Sequence, residues 1–169
     1  ENDCKILNAE YLPPVKRGDL QNIPDDVDTV VIIDGVLLND AAVGHREILS
    51  LLRSGVNVIG GGSMGALRAA ELGSFGMKGL GRIYEEYKSG RVDGDDEVVL
   101  AYDPFSFAPL SEPLINFRLN LYEAVNNDVI SKNVADEIIS ALKKVYYPHR
   151  TDKKFTEIVS LFLNEPECG

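Results

Sequence analysis

GGGSMGALRAAEL, residues 60–72, is the stretch whose reading decides the fold. Three glycines break an apolar run, a serine follows, and the rest is mostly alanine, leucine, arginine and glutamate, all strong helix formers. The run before it, 56–59, is short and apolar, so the segment reads as strand, glycine-rich turn, helix. Further back, Ser54 and Gly55 form a helix stop. Residues 41–53 carry Val43, Ile48, Leu49, Leu51 and Leu52 among polar side chains, which predicts a helix crossing back over a sheet. Before it, 29–33 is β-branched and apolar throughout, ending in Asp34 and Gly35, and predicts a buried parallel strand. The alternation predicts an α/β fold: a small, mainly parallel sheet flanked by helices. Ligands in such layers sit beyond the carboxyl ends of the strands, the edge that Asp34, the 60–62 turn and Ser63 would share.

Forward of the turn, residues 73–81 hold Gly73, Gly76, Gly79 and Gly81 with Phe75 and Met77 and read as a tight connection before a helix at 82–88. Acidic residues Asp93, Asp95, Asp96 and Glu97 precede 98–102, which reads as a third strand, and Pro104, Pro109 and Pro113 mark a loop. From Leu114 three helices are expected, at 114–125, 131–147 and 151–163, packed as a helical C-terminal cap. With 169 residues and 44% hydrophobic content the chain can bury one continuous core, so a single domain is expected over 1–169, its core at 13–120 and its helical part at 114–163. The absence of an initiator Met before Glu1 suggests a missing N-terminal piece, with a further strand as one candidate.

A formal net charge of −10 argues against nucleic acid, which demands clustered Lys and Arg. Cys4 and Cys168 stand near opposite ends with no CxxC spacing, which points to neither a zinc site nor a disulfide framework and suits a reducing, cytoplasmic setting. No apolar run approaches the roughly 20 residues that span a bilayer, and no basic-then-apolar leader opens the chain, so no membrane association is expected. The Asp95, Asp96 and Glu97 cluster lacks the pattern of a cation-binding loop. It reads as an acidic, partner-binding edge; no metal or cofactor is implied.

Gly61, Ser63 and Gly65 satisfy GxSxG, which in hydrolases places a serine on a sharp strand-to-helix turn. Small flanking residues let the hydroxyl protrude, and the N–H groups of Gly61, Gly62, Met64 and Gly65 are candidates to hold an oxyanion or another anion. The competing reading is that Ser63 is an ordinary helix cap and the glycines only permit close packing. Phosphate binding ranks lower, because the Gly-Lys-Ser/Thr ending of a P-loop is absent. A serine nucleophile needs a proton acceptor. His45, beside Glu47, and His149 are the only imidazoles, and lysine does the same work when desolvated or set among cations. Lys16, in a proline-restricted loop and flanked by Arg17, is the preferred lysine, with Lys78 in reserve. Arg68 and Glu71, three apart on the expected helix, read first as a structural ion pair, the alternative being that Arg68 receives an anionic group.

The sequence resembles the TfuA-like proteins, companions of YcaO enzymes in peptide backbone thioamidation. The resemblance rests on PPVKRGDL from Pro13, VVIIDGVLL from Val30, HREIL from His45, GGGSMGALRAAEL from Gly60, FGMKGLGRIYEEY from Phe75, DDEVVLAY from Asp95 and LSEPLINFR from Leu110. These blocks cover residues 13–120 in order, and beyond them only Tyr147, Arg150 and Thr151 carry family character. The resemblance implies a hydrolase that releases sulfide from a thiocarboxylated carrier of the ThiS type, supplies it to a YcaO partner and helps engage the peptide substrate. A serine with a lysine base is the Ser–Lys form of the triad logic, and the family's hydrolase-like pair points to Ser63 and Lys16. The implied substrate is a glycine of methyl-coenzyme M reductase in a methane-metabolising archaeon, or a ribosomal natural-product (RiPP) peptide in a bacterium. The alternative is a non-catalytic adaptor that docks YcaO with its peptide. Two departures stand out. Gly61 and Gly62 occupy positions where the family commonly has alanine, and Arg46 stands where it often has lysine; an arginine cannot be deprotonated.

Overall fold

The computed structural model describes residues 9–36 and 41–163; Cys4 and Cys168, and the end of the VVIIDGVLL block, lie outside the described residues. The chain divides into two compact units, Glu1–Glu85 and Glu86–Gly169.

The first unit is an α/β layer. Its strands β1 (Thr29–Ile32), β2 (Asn57–Gly60) and β3 (Lys78–Gly79) form one parallel sheet in the order β1-β2-β3. Helix α1 (His45–Arg53) joins the first pair and α2 (Met64–Leu72) the second. Parallel crossovers are right-handed, so two successive ones in this order put both helices on the same face. Burial agrees: Ile32 and Val58 are buried, whereas Val31 and Ile33 are 54% and 57% exposed. The expectation of a strand buried on both faces is therefore corrected at β1, because neither crossover helix of this unit is available to its second face.

Helix α1 begins at His45, four residues later than expected. Gly44 is extended, and its N–H donates to Glu47 Oε1 at 3.1 Å, a carboxylate reaching back from the first turn to fix the start. The third strand also differs from expectation. It is Lys78–Gly79, inside the stretch read as a bare connection, in register with Ile59 and Gly60. Gly76, at φ 105°, reverses the chain after a short 3-10 turn, and the buried Met77 anchors it beside β2. Residues 98–102 have no strand partner beyond a single antiparallel bridge between Tyr102 and Pro109. They follow a 3-10 turn, Asp95–Glu97, and the side chains of Val98 and Val99 are spent as core. A β-branched run marks burial as readily as pairing.

Helix α3 (Arg82–Lys88) runs across the division between the units. The second unit is built on α4 (Leu114–Asn126), α5 (Lys132–Lys143) and α6 (Asp152–Leu163) around Leu114, Phe117, Leu121, Ile138, Leu142 and Ile158. The Ser131 side chain caps α5, accepting from the Val134 N–H at 3.3 Å. Helix α5 ends at Lys143, short of 147: Tyr146, at ψ 130°, has left the helical region, and Pro148, with no N–H to give, sits in the separate 3-10 turn Tyr147–His149.

Candidate active site

Backbone fit alone sets the turn between β2 and α2. A Cβ on Gly65 would overlap the carbonyl oxygen of Ile32, and one on Gly60 would overlap that of Gly65. The first turn of α2 is thus seated directly on the ends of β1 and β2. Gly62 takes φ 61°, the left-handed region that suits glycine. Hydrogen bonds complete the seat: Gly61 N–H donates to Ile32 O at 3.0 Å, and Ser63 and Gly65 N–H both donate to Ile33 O at 3.2 Å.

Two consequences follow for chemistry. The Gly61 and Gly65 amides, expected as anion donors, are committed to strand carbonyls. Among the described residues, those of Gly62 and Met64 have no hydrogen-bond partner, and they are the donors left for an anion. The residue after a hydrolytic serine is where such a donor belongs. Further, the Ser63 side chain makes no helix-cap bond; its Oγ donates instead to Asp34 Oδ1 at 2.7 Å. Asp34 stands just past the end of β1, so the strand that seats the helix also supplies the acceptor for the serine.

Lys16 lies on a segment fastened to the same strand end. Val15 N–H donates to Asp34 O at 3.1 Å, Val36 N–H to Val15 O at 3.0 Å, and Arg17 N–H to Ala41 O at 2.8 Å. Gly18 N–H donates to Glu47 Oε2 at 2.7 Å, and Lys16 N–H to Asp19 Oδ2 at 2.9 Å. The Lys16 side chain is exposed. Glu47 is the residue that sequence reading passed over: one carboxylate oxygen caps α1 and the other holds the Lys16 loop. Its signal was available, because a glutamate three residues after a turn glycine is the second half of a capping box.

His45 is drawn elsewhere. Its Nε2 meets Glu71 Oε2 at 2.8 Å, and Arg68 Nη1 meets the same oxygen at 2.6 Å. Glu71 stands eight residues after Ser63, about 12 Å along the helix at ~1.5 Å per residue, so His45 is held away from the serine hydroxyl. Buried Arg68 also donates to Val43 O at 3.2 Å, a brace between α2 and the entrance to α1. Lys78, on β3, is exposed beside Ile59.

The expected acidic edge is largely not a surface. Glu97 is 1% exposed, paired with Arg118 through bonds of 3.0 and 2.5 Å, and Lys143 Nζ lies 3.7 Å away. Burial works to lower the Arg118 guanidinium, but Glu97 outweighs it and holds Arg118 above its ordinary value. Asp96 binds the buried Arg150 through both its carbonyl, at 2.7 Å, and its carboxylate, at 3.3 Å. Of the three acids only Asp95 is exposed. Among the described residues no group of three or more His, Cys, Asp or Glu side chains gathers closely enough to hold a metal ion, and no helix is long and apolar enough to cross a membrane.

A family model described as TfuA-like protein matches residues 34–151. The span begins at Asp34, takes in Ser63 and Arg118, and leaves Lys16 outside. A search of the curated proteins finds no match.

Proposed function

The chain belongs to the TfuA-like protein family, and on that premise we propose that it serves peptide thioamidation by hydrolysing a thiocarboxylated, ThiS-type carrier with Ser63 as nucleophile, supplying sulfide to a YcaO-type enzyme and assisting that enzyme's engagement of its peptide. The observation that carries the reading is the Ser63 hydroxyl itself: it is withdrawn from helix capping, hydrogen-bonded to Asp34 at 2.7 Å, and adjacent to the open amides of Gly62 and Met64.

The chemistry follows from those groups. Ser63 Oγ attacks the thiocarboxylate carbon, its proton passing to a base, and charge gathers on oxygen where the Met64 and Gly62 amides can donate. The carbon–sulfur bond breaks and hydrosulfide leaves, giving an ester on Ser63. Water then cleaves the ester and returns the carrier carboxylate, so one thiocarboxylate and one water yield one carboxylate and hydrogen sulfide. Asp34 orients the hydroxyl. Lys16 is the proposed base, supported by the fastening of its loop to Asp34 and Glu47; Lys78 stands in reserve. The glycines at 60–62 suit a carrier tail of glycines, because the turn itself carries no side chain there.

Purified thiocarboxylated carrier mixed with the protein tests the reading by sulfide release. Ser63→Ala is expected to abolish release, and Lys16→Ala to reduce it by at least tenfold. Normal release by Ser63→Ala overturns the hydrolase and leaves the non-catalytic adaptor; normal release by Lys16→Ala retires that lysine alone.

A further inference from the structure

In the second unit, residues 101–111 fold back into a small finger. Leu110 N–H donates to Ala101 O at 2.7 Å, Asp103 N–H to Ala108 O at 2.9 Å, and Phe107 N–H to Asp103 O at 2.8 Å. One carboxylate braces the tip from inside: Asp103 Oδ1 accepts from the N–H of Ser106 at 2.8 Å, from its hydroxyl at 2.9 Å, and from the N–H of Phe105 at 3.0 Å. Phe107 sits at φ 56°, unusual for an aromatic residue, with its ring stacked on Tyr102 at 6.1 Å.

What this bracing holds out is apolar. Phe105 is 92% exposed, Leu110 60% and Phe107 47%. Single exposed apolar side chains are ordinary. Two aromatic rings on one ordered tip, one of them kept in a costly backbone conformation, with Leu110 exposed at the base of the finger, are an anchor whose ordering cost is met before anything binds. Every charged side chain between Arg91 and Arg118 is acidic: Asp93, Asp95, Asp96, Glu97, Asp103 and Glu112. Glu97 and Asp96 are paired with Arg118 and Arg150; even with Lys143 Nζ 3.7 Å from Glu97, Asp93, Asp95, Asp103 and Glu112 leave the region net negative.

We propose that the 101–111 finger is a docking element for a protein, inserting Phe105 into an apolar pocket rimmed by Lys and Arg. Its partner is the YcaO-type enzyme, an assignment that rests on the function proposed above. The carrier brings its tail to Ser63 and must leave after each turnover, whereas the consumer of a freely diffusing sulfide must stay close. An anionic bilayer is disfavoured by the same acidic groups.

Isothermal titration calorimetry of the full chain with the purified YcaO-type enzyme tests the assignment without carrier or sulfide. Phe105→Ser, at a site with no packing to lose, is expected to weaken binding tenfold or more while leaving sulfide release at the wild-type rate. Asp95→Lys is expected to weaken binding and flatten its salt dependence. Wild-type affinity in Phe105→Ser overturns the proposal, as does a wild-type chain that does not bind the enzyme. So does Phe105-dependent binding to phosphatidylserine vesicles with unchanged enzyme binding. Normal release in Ser63→Ala overturns the hydrolase and leaves the Phe105 binding result untouched, so the two readings can fail separately.

Discussion

Ser63 and Asp34, 29 residues apart in sequence, are joined by a 2.7 Å hydrogen bond in which the serine donates. A helix-capping serine would accept, from an amide of the first helical turn. The direction of that bond separates the two readings the sequence left open. Ser63→Ala should therefore lose stability only through Asp34: made in an Asp34→Ala background it should change stability by no more than about 0.5 kcal/mol, whereas a cap would lose its ~1 kcal/mol in either background. Asp34→Asn should lower the kcat of sulfide release roughly tenfold or more with KM little changed, since an orienting group acts on the hydroxyl and not on carrier binding. Chemical denaturation and steady-state kinetics give both numbers; a cap-sized stability loss from Ser63→Ala in the Asp34→Ala background would return the serine to a structural role.

Much of this was legible in the chain. Strand, glycine turn and helix at 56–72 follow from local rules that agree with one another, and Ser63 and Asp34 fall on one edge because parallel strands put their ends there. Apart from the helix ends at His45 and Lys143, the misreadings were matters of tertiary choice. Residues 98–102 have the composition of a strand, yet only a neighbour with free backbone groups makes one, and Lys78–Gly79 already stands beside β2. The acidic run 95–97 looks like surface because its partners, Arg118 and Arg150, come from distant positions. Which turn amides remain open is likewise invisible in GxSxG, because the carbonyls that take the others, of Ile32 and Ile33, stand at and just past the end of β1.

Gly65 is a packing residue before it is a motif residue. Gly65→Ala must push the helix off the Ile32 carbonyl and is expected to cost about 3 kcal/mol or more, at or beyond the upper end of core overpacking. At Gly61 the added methyl meets only Leu80 O, at 3.4 Å, so Gly61→Ala should fold normally. Thermal melts of the two variants make the comparison, and equal stabilities would show that the turn relaxes freely.

Glu47 should act on the Lys16 loop from a distance. Glu47→Ala removes the acceptor for Gly18 N–H and the cap of α1, so the Gly18 amide should exchange at least tenfold faster, a hydrogen bond to a charged group contributing roughly 1.5–3 kcal/mol. Glu47→Gln, which keeps one acceptor oxygen, should fall between. If Lys16 is the base, kcat should drop in the same order across the series while the Ser63 to Asp34 geometry stays intact. Unchanged exchange at Gly18 would mean the loop is held without Glu47.

Acid should loosen the finger. Hydrogen bonds from Ser106, then Phe105, hold the Asp103 carboxyl below its ordinary value of 3.8. A group lowered in the folded state gives its full contribution above the unfolded value and loses it as pH falls through the folded one. Exchange protection of the Phe105 and Ser106 amides should thus be constant from neutrality down to about pH 4 and decline below it. In Asp103→Asn the decline should vanish. Persistence of the decline in that variant would assign it to another group.

The interlock of Gly60, Gly65 and the Ile32 carbonyl also bears on how such a site can evolve. Because backbone atoms rather than side chains set where Ser63 stands, neighbouring side chains can drift without moving the hydroxyl. The same interlock offers no gradual route to a different nucleophile position: the smallest available step, one methyl group, already collides. Diversification among chains that share this seat should therefore accumulate in the loops that bring the base and in the surfaces that choose partners, while Gly60 and Gly65 stay frozen.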